Sequence, residues 1–365
     1  MKTSEFDYNL PTELIAQTPL EPRDSSRLMV VGRSDKEIKH QHFYDIINYL
    51  QAGDVLVWNS SKVFKARLFG ELMMDENTAN VELREKSTDK ILNAAKVEIF
   101  LIRPMENFGV WKVLAKPGRK LRLGLKVVFA DDFSAEVMTK ETDGTFLMQF
   151  NDDDATVRAK ANQYGEVPTP PYIKIDQSAE LKNRYQTVYA KEEGSVAAPT
   201  AGFHFTPELI EKLEQKGVQF AEVTLHVGLG TFLPVKTDDI EDHKMHAEWV
   251  ELTDKNAHLI NIAKQEGRRV VAVGTTTVRT LEGIAMQMED NLVRPFQGDI
   301  NMFITPGFKF KIIDALITNF HLPKSTLLML VCAFAQDKDF MLKCYEEAVK
   351  EKYRFFSFGD AMLIK

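Results

Sequence analysis

The pattern of apolar and polar positions changes along the chain, and its first regular part lies between about residues 63 and 150. There, short segments with alternating apolar and polar residues, such as VWKVLA and SAEVMTK, are divided by turn signals at Pro117-Gly118 and Asp143-Gly144. A period of two with frequent turns is typical of antiparallel strands. We therefore predict a small β-barrel domain over residues 63–151.

Beyond residue 165 the pattern becomes a repeat of apolar strand, polar loop and helix. RRVVAVG at 268–274 precedes a helical segment, and ALITNF at 315–320 precedes the apolar segment TLLMLVCAFA at 326–335. This order is typical of an α/β layer with a substantially parallel sheet. We predict that residues 1–62 and 152–365 form one discontinuous α/β catalytic domain, interrupted by the barrel.

Two histidines flank a well-delimited helix after residue 206. Thr206 suits the N-cap, Pro207 the first helical position and Gly217 the end of the helix. His204 lies in the loop before this helix, and His226 ends the strand after it. The small residues of both loops allow a ligand to approach the backbone closely, so we expect ligand-binding residues there. They are Thr200, Ala201, Gly202, Gly228, Gly230 and Thr231. On this stretch alone, a tight turn and two structural histidines remain an equal alternative.

Two further polar loops follow apolar strands. GTTTVRT places Thr275, Thr276, Thr277 and Arg279 after the strand at 268–274, and TNFHLPKS places Asn319 and His321 after the next. Hydroxyls, helix N-terminal amides and a cation suit a carboxylate, a phosphate or a sugar, although threonines also simply cap helices. Right-handed crossovers would bring the three loops to one edge of the sheet.

Composition restricts the class of protein. The chain has 365 residues, 44% hydrophobic and 27% charged, with a net charge of −7, which argues against coating nucleic acid by bulk electrostatics. No segment approaches the ~20 apolar residues of a membrane helix, and the N-terminus resembles no secretory signal, so we expect a cytoplasmic protein without membrane contact.

Cys332 and Cys344 lack metal-type spacing, and His243 and His246 lack further ligands nearby. We predict no metal site.

Two local concentrations of positive charge depart from this acidic average. The segment KPGRKLRLGLK at 116–126 contains Arg119, Lys120 and Arg122, and a second cluster lies at 350–354. Either segment could contact phosphates. A solvated charged face is the alternative for each.

Long motifs identify a resemblance that covers nearly the whole chain. They are FDYNLPTELIAQTP, DSSRL at 24–28, ARLFG at 66–70, PTPPYI, YQTVYAKEEGSVAAPTAGFHFT, VTLHVGLGTFLPVK, EDHKMHAEW, VAVGTTTVRTLE, LITNFHLPKSTLLMLV and EKYRFFSFGDAMLI. With these motifs the chain resembles the S-adenosylmethionine:tRNA ribosyltransferase-isomerase family of queuosine biosynthesis. The resemblance implies an α/β domain interrupted by a β-barrel.

The resemblance also implies a reaction. S-adenosylmethionine, a co-substrate and not a prosthetic group, gives its ribosyl part to 7-aminomethyl-7-deazaguanine at the tRNA wobble position. Epoxyqueuosine forms, and adenine and methionine leave. For this chemistry we expect His204 and His226 to transfer protons, in an order that the sequence leaves open. Arg279 and the threonines 275–277 would hold the methionine carboxylate or the ribose hydroxyls, Asn319 and His321 would complete the pocket, and Arg119, Lys120 and Arg122 would contact the anticodon region of tRNA.

Some residues depart from the pattern associated with the family. Glu193 stands where proline is common, Phe203 replaces leucine, Phe64-Lys65 replaces Ile-Pro, and Lys62 replaces arginine. Lys62 keeps the charge but loses the bidentate guanidinium, so a family role for that side chain is in doubt here. Two other functions remain open: an S-adenosylmethionine-dependent tRNA methyltransferase, and a non-catalytic tRNA-binding protein on the same scaffold.

Overall fold

The structure is a computed structural model that describes residues 1–73, 96–168, 172–173, 184–227, 237–243, 245 and 247–365. The chain forms two compact units. The first comprises Met1–Lys62, Pro170–Glu193 and Ala198–Lys365, and the second comprises Val63–Thr169 and Gly194–Ala197. The second unit contains the helix Asp154–Tyr164, which lies beyond residue 151, the limit given above for the barrel domain.

The strands and helices are numbered in chain order. The strands are β1 (Arg27–Val31), β2 (Ile38–His42), β3 (Val55–Asn59), β4 (Ser61–Val63), β5 (Arg67–Met73), β6 (Lys96–Pro104), β7 (Val110–Lys116), β8 (Lys126–Ala130), β9 (Phe133–Lys140), β10 (Phe146–Phe150), β11 (Glu192–Ser195), β12 (Gln219–Leu225), β13 (Glu248–Leu252), β14 (Val270–Val273), β15 (Phe296–Ile300), β16 (Ala315–Asn319) and β17 (Ala361–Ile364). The α-helices are α1 (Asp154–Tyr164), α2 (Pro207–Gln215), α3 (Asp254–Gln265), α4 (Thr275–Met286), α5 (Thr326–Ala335) and α6 (Lys338–Lys350). Short 3-10 helices include Arg23–Ser25, Phe43–Asn48, Gly118–Lys120 and Thr200–His204.

The first unit is built on a mixed sheet with the strand order β15-β13-β12-β3-β14-β16-β17-β1-β2. The central strands β12, β3, β14 and β16 are parallel to one another, and antiparallel pairs lie towards both edges. Strands β3, β14 and β16 are buried along their whole length, as expected for parallel strands covered on both faces. The predicted fold class, an α/β layer with an inserted barrel, is confirmed.

Helices cover both faces of this sheet. Side chains alternate along a strand, so Val55 and Val57 of β3 pack on one face and Leu56 and Trp58 on the other. The face of Val57 is covered by α3, α4, α5 and α6. The face of Trp58 is covered by the 3-10 helix Phe43–Asn48 and by α2. None of the helices in the described ranges is long and apolar enough to cross a membrane.

The second unit contains a closed barrel with the strand order β10-β7-β6-β5-β8-β9 and antiparallel pairing throughout. Its interior is filled by aliphatic and aromatic residues, and Trp111, Phe133 and Phe146 are each at most 1% exposed. Helix α1 adds Val157 and Ala161 to this core. Because the alternation along each strand points one set of side chains inward, the polar set is left on the outside.

Helix α4 is fixed in place by a buried carboxylate. Glu282 is 0% exposed and accepts hydrogen bonds from the backbone N–H groups of Lys311, Ile312 and Ile313, at 2.8, 3.0 and 3.1 Å. Burial raises the pKa of Glu282, and the three N–H groups partly oppose that effect. The side chain thus ties the middle of α4 to the segment before β16.

Replacing Glu282 with alanine should therefore lower the free energy of unfolding by at least about 3 kcal/mol, because three buried N–H groups lose their acceptor. Urea denaturation measures this loss. The matched control is Asp290→Asn, which removes an exposed i,i+4 pair with Arg294 and should leave the free energy of unfolding nearly unchanged. Equal losses in the two variants would contradict the anchoring role of Glu282.

Candidate functional site

The carboxyl ends of the parallel strands meet at one edge of the sheet. Strands β12, β3, β14 and β16 end at Leu225, Asn59, Val273 and Asn319. Gly274 then turns the chain from β14 into α4 with a φ of 86°, a value that favours glycine. Ligand sites of α/β sheets lie at this edge, so the residues that follow these strands form the candidate site.

The 3-10 helix Thr200–His204 packs tightly beside this edge. A Cβ atom on Gly202 would lie 1.9 Å from the Tyr189 hydroxyl oxygen, so only glycine fits there. A Cβ atom on Gly274 would lie 3.6 Å from the Cβ of Ala201, which places Ala201 next to the start of α4. The small residues of this loop therefore permit close packing against Tyr189 and Gly274.

His204 is held by a defined set of hydrogen bonds. Its Nδ1 lies 2.7 Å from Ser26 Oγ, and its Nε2 lies 3.2 Å from Asn319 Nδ2. Asn319 Nδ2 also donates to the carbonyl of Phe356 at 3.1 Å, which identifies that atom as the amide nitrogen. Nε2 must then accept, so the proton is on Nδ1 and is donated to Ser26. Thr200 Oγ1 extends the array to Asn319 Oδ1 at 3.3 Å.

The surroundings of His204 keep its imidazole neutral. The residue is 3% exposed and its ring stacks on Phe43 with 4.9 Å between centroids. Burial, together with the positive charges of Arg23 and Arg354, lowers the pKa of His204 to about 3. In this state the ring is a neutral hydrogen-bonding group that aligns the Asn319 amide.

Arg23 contacts Phe203, the residue that replaces the leucine of the family pattern. Its guanidinium donates to the carbonyl oxygens of Arg184 and Gln186 at 2.8 and 2.7 Å. It also lies over the ring of Phe203, 5.4 Å from the centroid, a contact that leucine would not provide. Phe203 therefore serves packing in this region.

The first two turns of α4 contain side-chain hydrogen-bond donors that have no partner among the described residues. Thr277 Oγ1 donates to the carbonyl of Val273 at 2.8 Å, but Thr276 Oγ1 is buried and, among the described residues, has no hydrogen-bond partner. Arg279, one turn later and 4% exposed, donates through Nη1 to the buried carboxylate of Glu248. Its Nε and Nη2 have no partner within the same described ranges. Unsatisfied buried donors are rare, and this cationic set suits an anion such as a carboxylate.

His226 follows β12 at the same edge of the sheet. Its backbone N–H donates to the carbonyl of Trp249 at 2.9 Å, and its ring stacks on Trp249 with 4.8 Å between centroids. The next predicted residues, Gly228, Gly230 and Thr231, lie outside the described residues.

His321 lies on the other face of the sheet from His204. Its Nε2 is 2.9 Å from Thr318 Oγ1, and its backbone N–H donates to Tyr345 Oη at 3.3 Å. Thr318 and Asn319 point to opposite faces because they are neighbours in β16. His321 is 8% exposed, and burial lowers its pKa to about 3. The structure thus brings Thr200, His204 and Asn319 together and leaves His321 apart from them.

No functional role was predicted from the sequence for a second group of buried polar atoms. The rings of Trp58 and Tyr189 stack at 4.0 Å, and their polar atoms have no hydrogen-bond partner in the described part of the chain. The same holds for Ser61 Oγ and Thr187 Oγ1. Tyr189 and Thr187 both pack against Gly202, so these atoms border the Thr200–His204 segment. Tyr189 and Thr187 belong to a quoted motif, but sequence spacing gives no sign that they contact Gly202.

The remaining predicted residues, Arg119, Lys120 and Arg122, lie in the barrel unit, in the connection between β7 and β8, and are exposed. Across the described ranges, no group of three or more His, Cys, Asp and Glu residues is arranged to hold a metal ion.

Comparison with known proteins gives consistent matches over the whole length. The family model described as queuosine biosynthesis protein matches residues 3–364. A protein of Thermotoga petrophila named S-adenosylmethionine:tRNA ribosyltransferase-isomerase is 54% identical over 365 residues, covering 100% of both chains. A Staphylococcus haemolyticus protein of the same name is 48% identical over 365 residues, again covering 100% of both chains. The crystal structure of S-adenosylmethionine tRNA ribosyltransferase from Thermotoga maritima matches with a TM-score of 0.56 and 43% identity, covering 99% of this chain and 100% of that one.

Proposed function

The chain belongs to the queuosine biosynthesis protein family, and on that premise we propose that it is an S-adenosylmethionine:tRNA ribosyltransferase-isomerase. The ribosyl group of S-adenosylmethionine is transferred to the 7-aminomethyl group of 7-aminomethyl-7-deazaguanine at the tRNA wobble position. It rearranges to the epoxycyclopentane of epoxyqueuosine, and adenine and methionine leave. Since tRNA is the proposed substrate, we expect the protein to act in the cytoplasm.

The observation that carries this proposal is the donor set at the start of α4. Thr276 Oγ1 and the Nε and Nη2 atoms of Arg279 are buried, lie on one side of the first turns and, in the described chain, have no partner. The helix N-terminus adds backbone N–H groups and a positive dipole end. This arrangement fits the carboxylate of the methionine part of S-adenosylmethionine. Thr275 and Thr277 would border the same carboxylate or the ribose hydroxyls.

We propose different roles for the two histidines at the sheet edge. The reaction needs a base that removes a proton from the 5′ carbon beside the sulfonium, and an acid that helps adenine depart. Both ring nitrogens of His204 are hydrogen-bonded and its pKa is lowered to about 3, so it is better suited to aligning Asn319 than to carrying a proton. We therefore propose His226 for the proton transfer and His204 for positioning.

The small residues Thr200, Ala201 and Gly202 would let the backbone approach the substrate closely, next to Asn319. Gly228, Gly230 and Thr231 would continue the binding surface after His226, and they remain sequence-based proposals. His321, on the opposite face of the sheet, would support this edge only indirectly, through Thr318.

The products test this function directly. The protein is incubated with S-adenosylmethionine and tRNA that carries 7-aminomethyl-7-deazaguanine, and nucleosides and small molecules are analysed by mass. We expect one adenine and one methionine for each epoxyqueuosine. The control tRNA carries guanine at the wobble position and should give none of these products. Formation of S-adenosylhomocysteine would instead support the methyltransferase alternative, and binding of tRNA without any product would support the binding protein.

A further inference from the structure

One end of the barrel gathers positive charge. At this end β5 and β7 finish and β6 and β8 begin, since Met73 pairs with Lys126 and Glu71 pairs with Lys96 in the strand register. Among the described residues, six exposed cations lie there, and we call them the cationic end. They are Lys96, Lys116, Arg119, Lys120, Arg122 and Lys126. The connection 116–126 supplies five of them and contains no acidic residue, in a chain whose net charge is −7.

Three of these cations lie in strands and have a carboxylate opposite them in the register, Glu71 opposite Lys96, Glu98 opposite Lys116 and Glu136 opposite Lys126, whereas Arg119, Lys120 and Arg122 lie in the connection between the strands. Within the described residues, none of the six forms an ion pair, whereas Lys112 and Lys160 of the same unit pair with Asp143 and Asp152 at 2.7 and 2.8 Å. Glu98 lies opposite Lys116 in the strand register, but its carboxylate is bound by Arg67 at 2.6 Å. The positive potential of the cationic end is therefore available to a partner.

The connection also combines its charges with apolar surface and a fixed backbone. Leu123 is 74% exposed beside Arg122, while Leu121 is 6% exposed and anchors the loop in the barrel core. The N–H of Gly124 donates to the carbonyl of Val137 at 2.9 Å, and the N–H of Val137 donates to the carbonyl of Leu125 at 2.9 Å. A preorganised loop loses less conformational entropy when it binds. Cations beside an exposed aliphatic side chain suit RNA, which offers both phosphates and base faces.

In the second basic cluster of the sequence, Arg354 is held by contacts within the fold, while Lys350 and Lys352 are exposed. Lys350 pairs with Glu347 at 3.3 Å. The guanidinium of Arg354 donates to the carbonyl of Thr18, and its backbone N–H donates to Asp360 at 2.8 Å. Arg354 is half-buried, and burial lowers the pKa of its guanidinium. The cationic end is the stronger candidate for contact with a polyanion.

We propose that the cationic end of the barrel binds the sugar-phosphate backbone of the tRNA substrate. This inference rests on the proposed function, because that function supplies the polyanion. Each phosphate neutralised should contribute about 0.7 to 0.9 to the slope of log affinity against log salt. Arg119 and Lys120 together therefore account for a slope of about 1.5.

The test compares Arg119→Glu/Lys120→Glu with Lys212→Glu/Lys255→Glu, which makes the same change in net charge at exposed positions of α2 and α3. The affinity for tRNA is measured by filter binding at several salt concentrations, and the affinity for S-adenosylmethionine by calorimetry. We expect the barrel variant to bind tRNA at least tenfold more weakly, with a salt slope reduced by about 1.5, and to bind S-adenosylmethionine as before. The control should stay within twofold of the wild type.

A neutral variant, Arg119→Gln/Lys120→Gln, should weaken tRNA binding by a smaller factor with the same loss of slope, and it guards against misfolding caused by charge reversal. Unchanged tRNA affinity in both barrel variants, or an equal loss in the control, would overturn the inference. A wild-type protein that binds tRNA tightly but releases no adenine would instead count against the proposed function and leave the surface assignment intact.

Discussion

Replacing Arg279 with methionine should lower the free energy of unfolding by about 3 to 5 kcal/mol, because the change removes the cation of a buried ion pair. Arg279 and Glu248 are 4% and 7% exposed, and the guanidinium donates directly to that carboxylate. Urea denaturation measures the loss. Combining the change with Glu248→Gln should recover part of the stability, since the buried negative charge is removed. A double variant no more stable than Arg279→Met would contradict this account.

The variant Arg279→Lys separates stability from binding. Lysine keeps a positive charge near Glu248 but lacks the planar donors that Arg279 presents through Nε and Nη2. Loss of a charge-assisted hydrogen bond corresponds to about 1.5 to 3 kcal/mol, so the Kd for S-adenosylmethionine should rise at least tenfold. Calorimetry at constant pH measures this change, with Arg294→Lys on the protein surface as the control. Unaltered affinity in Arg279→Lys would remove Arg279 from the proposed carboxylate site.

The second large effect is a loss of stability in mild acid. Burial lowers the pKa of both His204 and His321 from the ordinary value of 6.5 to about 3. Between these values the unfolded chain binds protons that the folded protein does not. Stability is therefore fully present above pH 6.5 and decreases as the pH falls towards 3. Each histidine should contribute up to about 1.4 kcal/mol per pH unit.

Urea denaturation of the wild type and of His321→Gln at pH 7, 6, 5 and 4.5 tests this expectation. Glutamine can still bond to Thr318 Oγ1 but removes the titrating group, so its curve of unfolding free energy against pH should be flatter below pH 6.5. The control is His258→Gln, an exposed position of α3 that should leave the curve unchanged. Parallel curves for the wild type and His321→Gln would contradict the lowered pKa of His321.

The parts of the fold that were predictable depend on short-range sequence. Thr206 caps α2 through a hydrogen bond from the backbone N–H of Leu209, as its position before an apolar helical segment indicated. The apolar runs of β14 and β16 predicted buried strands, and the barrel segments alternated with a period of two. The family resemblance, carried by long motifs, is confirmed by the family match.

The contacts of the candidate site could not be predicted, because they join distant parts of the chain. Ser26 meets His204 across 178 positions, and nothing local in either segment signals that contact. Asn319 and His321 have the same parity, so a continuing strand would point both to one face. Strand β16 ends at Asn319, however, and the turn that follows sends His321 to the opposite face. Beyond the end of a strand, the alternation of side chains no longer predicts the face to which a side chain points.

The position of β17 in the sheet constrains the order in which the nascent chain can complete its fold. Apart from its hairpin partner β2, β1 pairs with β17, and β17 in turn joins this hairpin to β16. The N-terminal hairpin is therefore synthesised first but can enter the sheet only after residues 361–364 have left the ribosome. Ser26 directly precedes β1, so the strand next to it is joined to the rest of the sheet through β17. A chain interrupted before β17 would carry nearly every residue of the candidate site and still lack its assembled form.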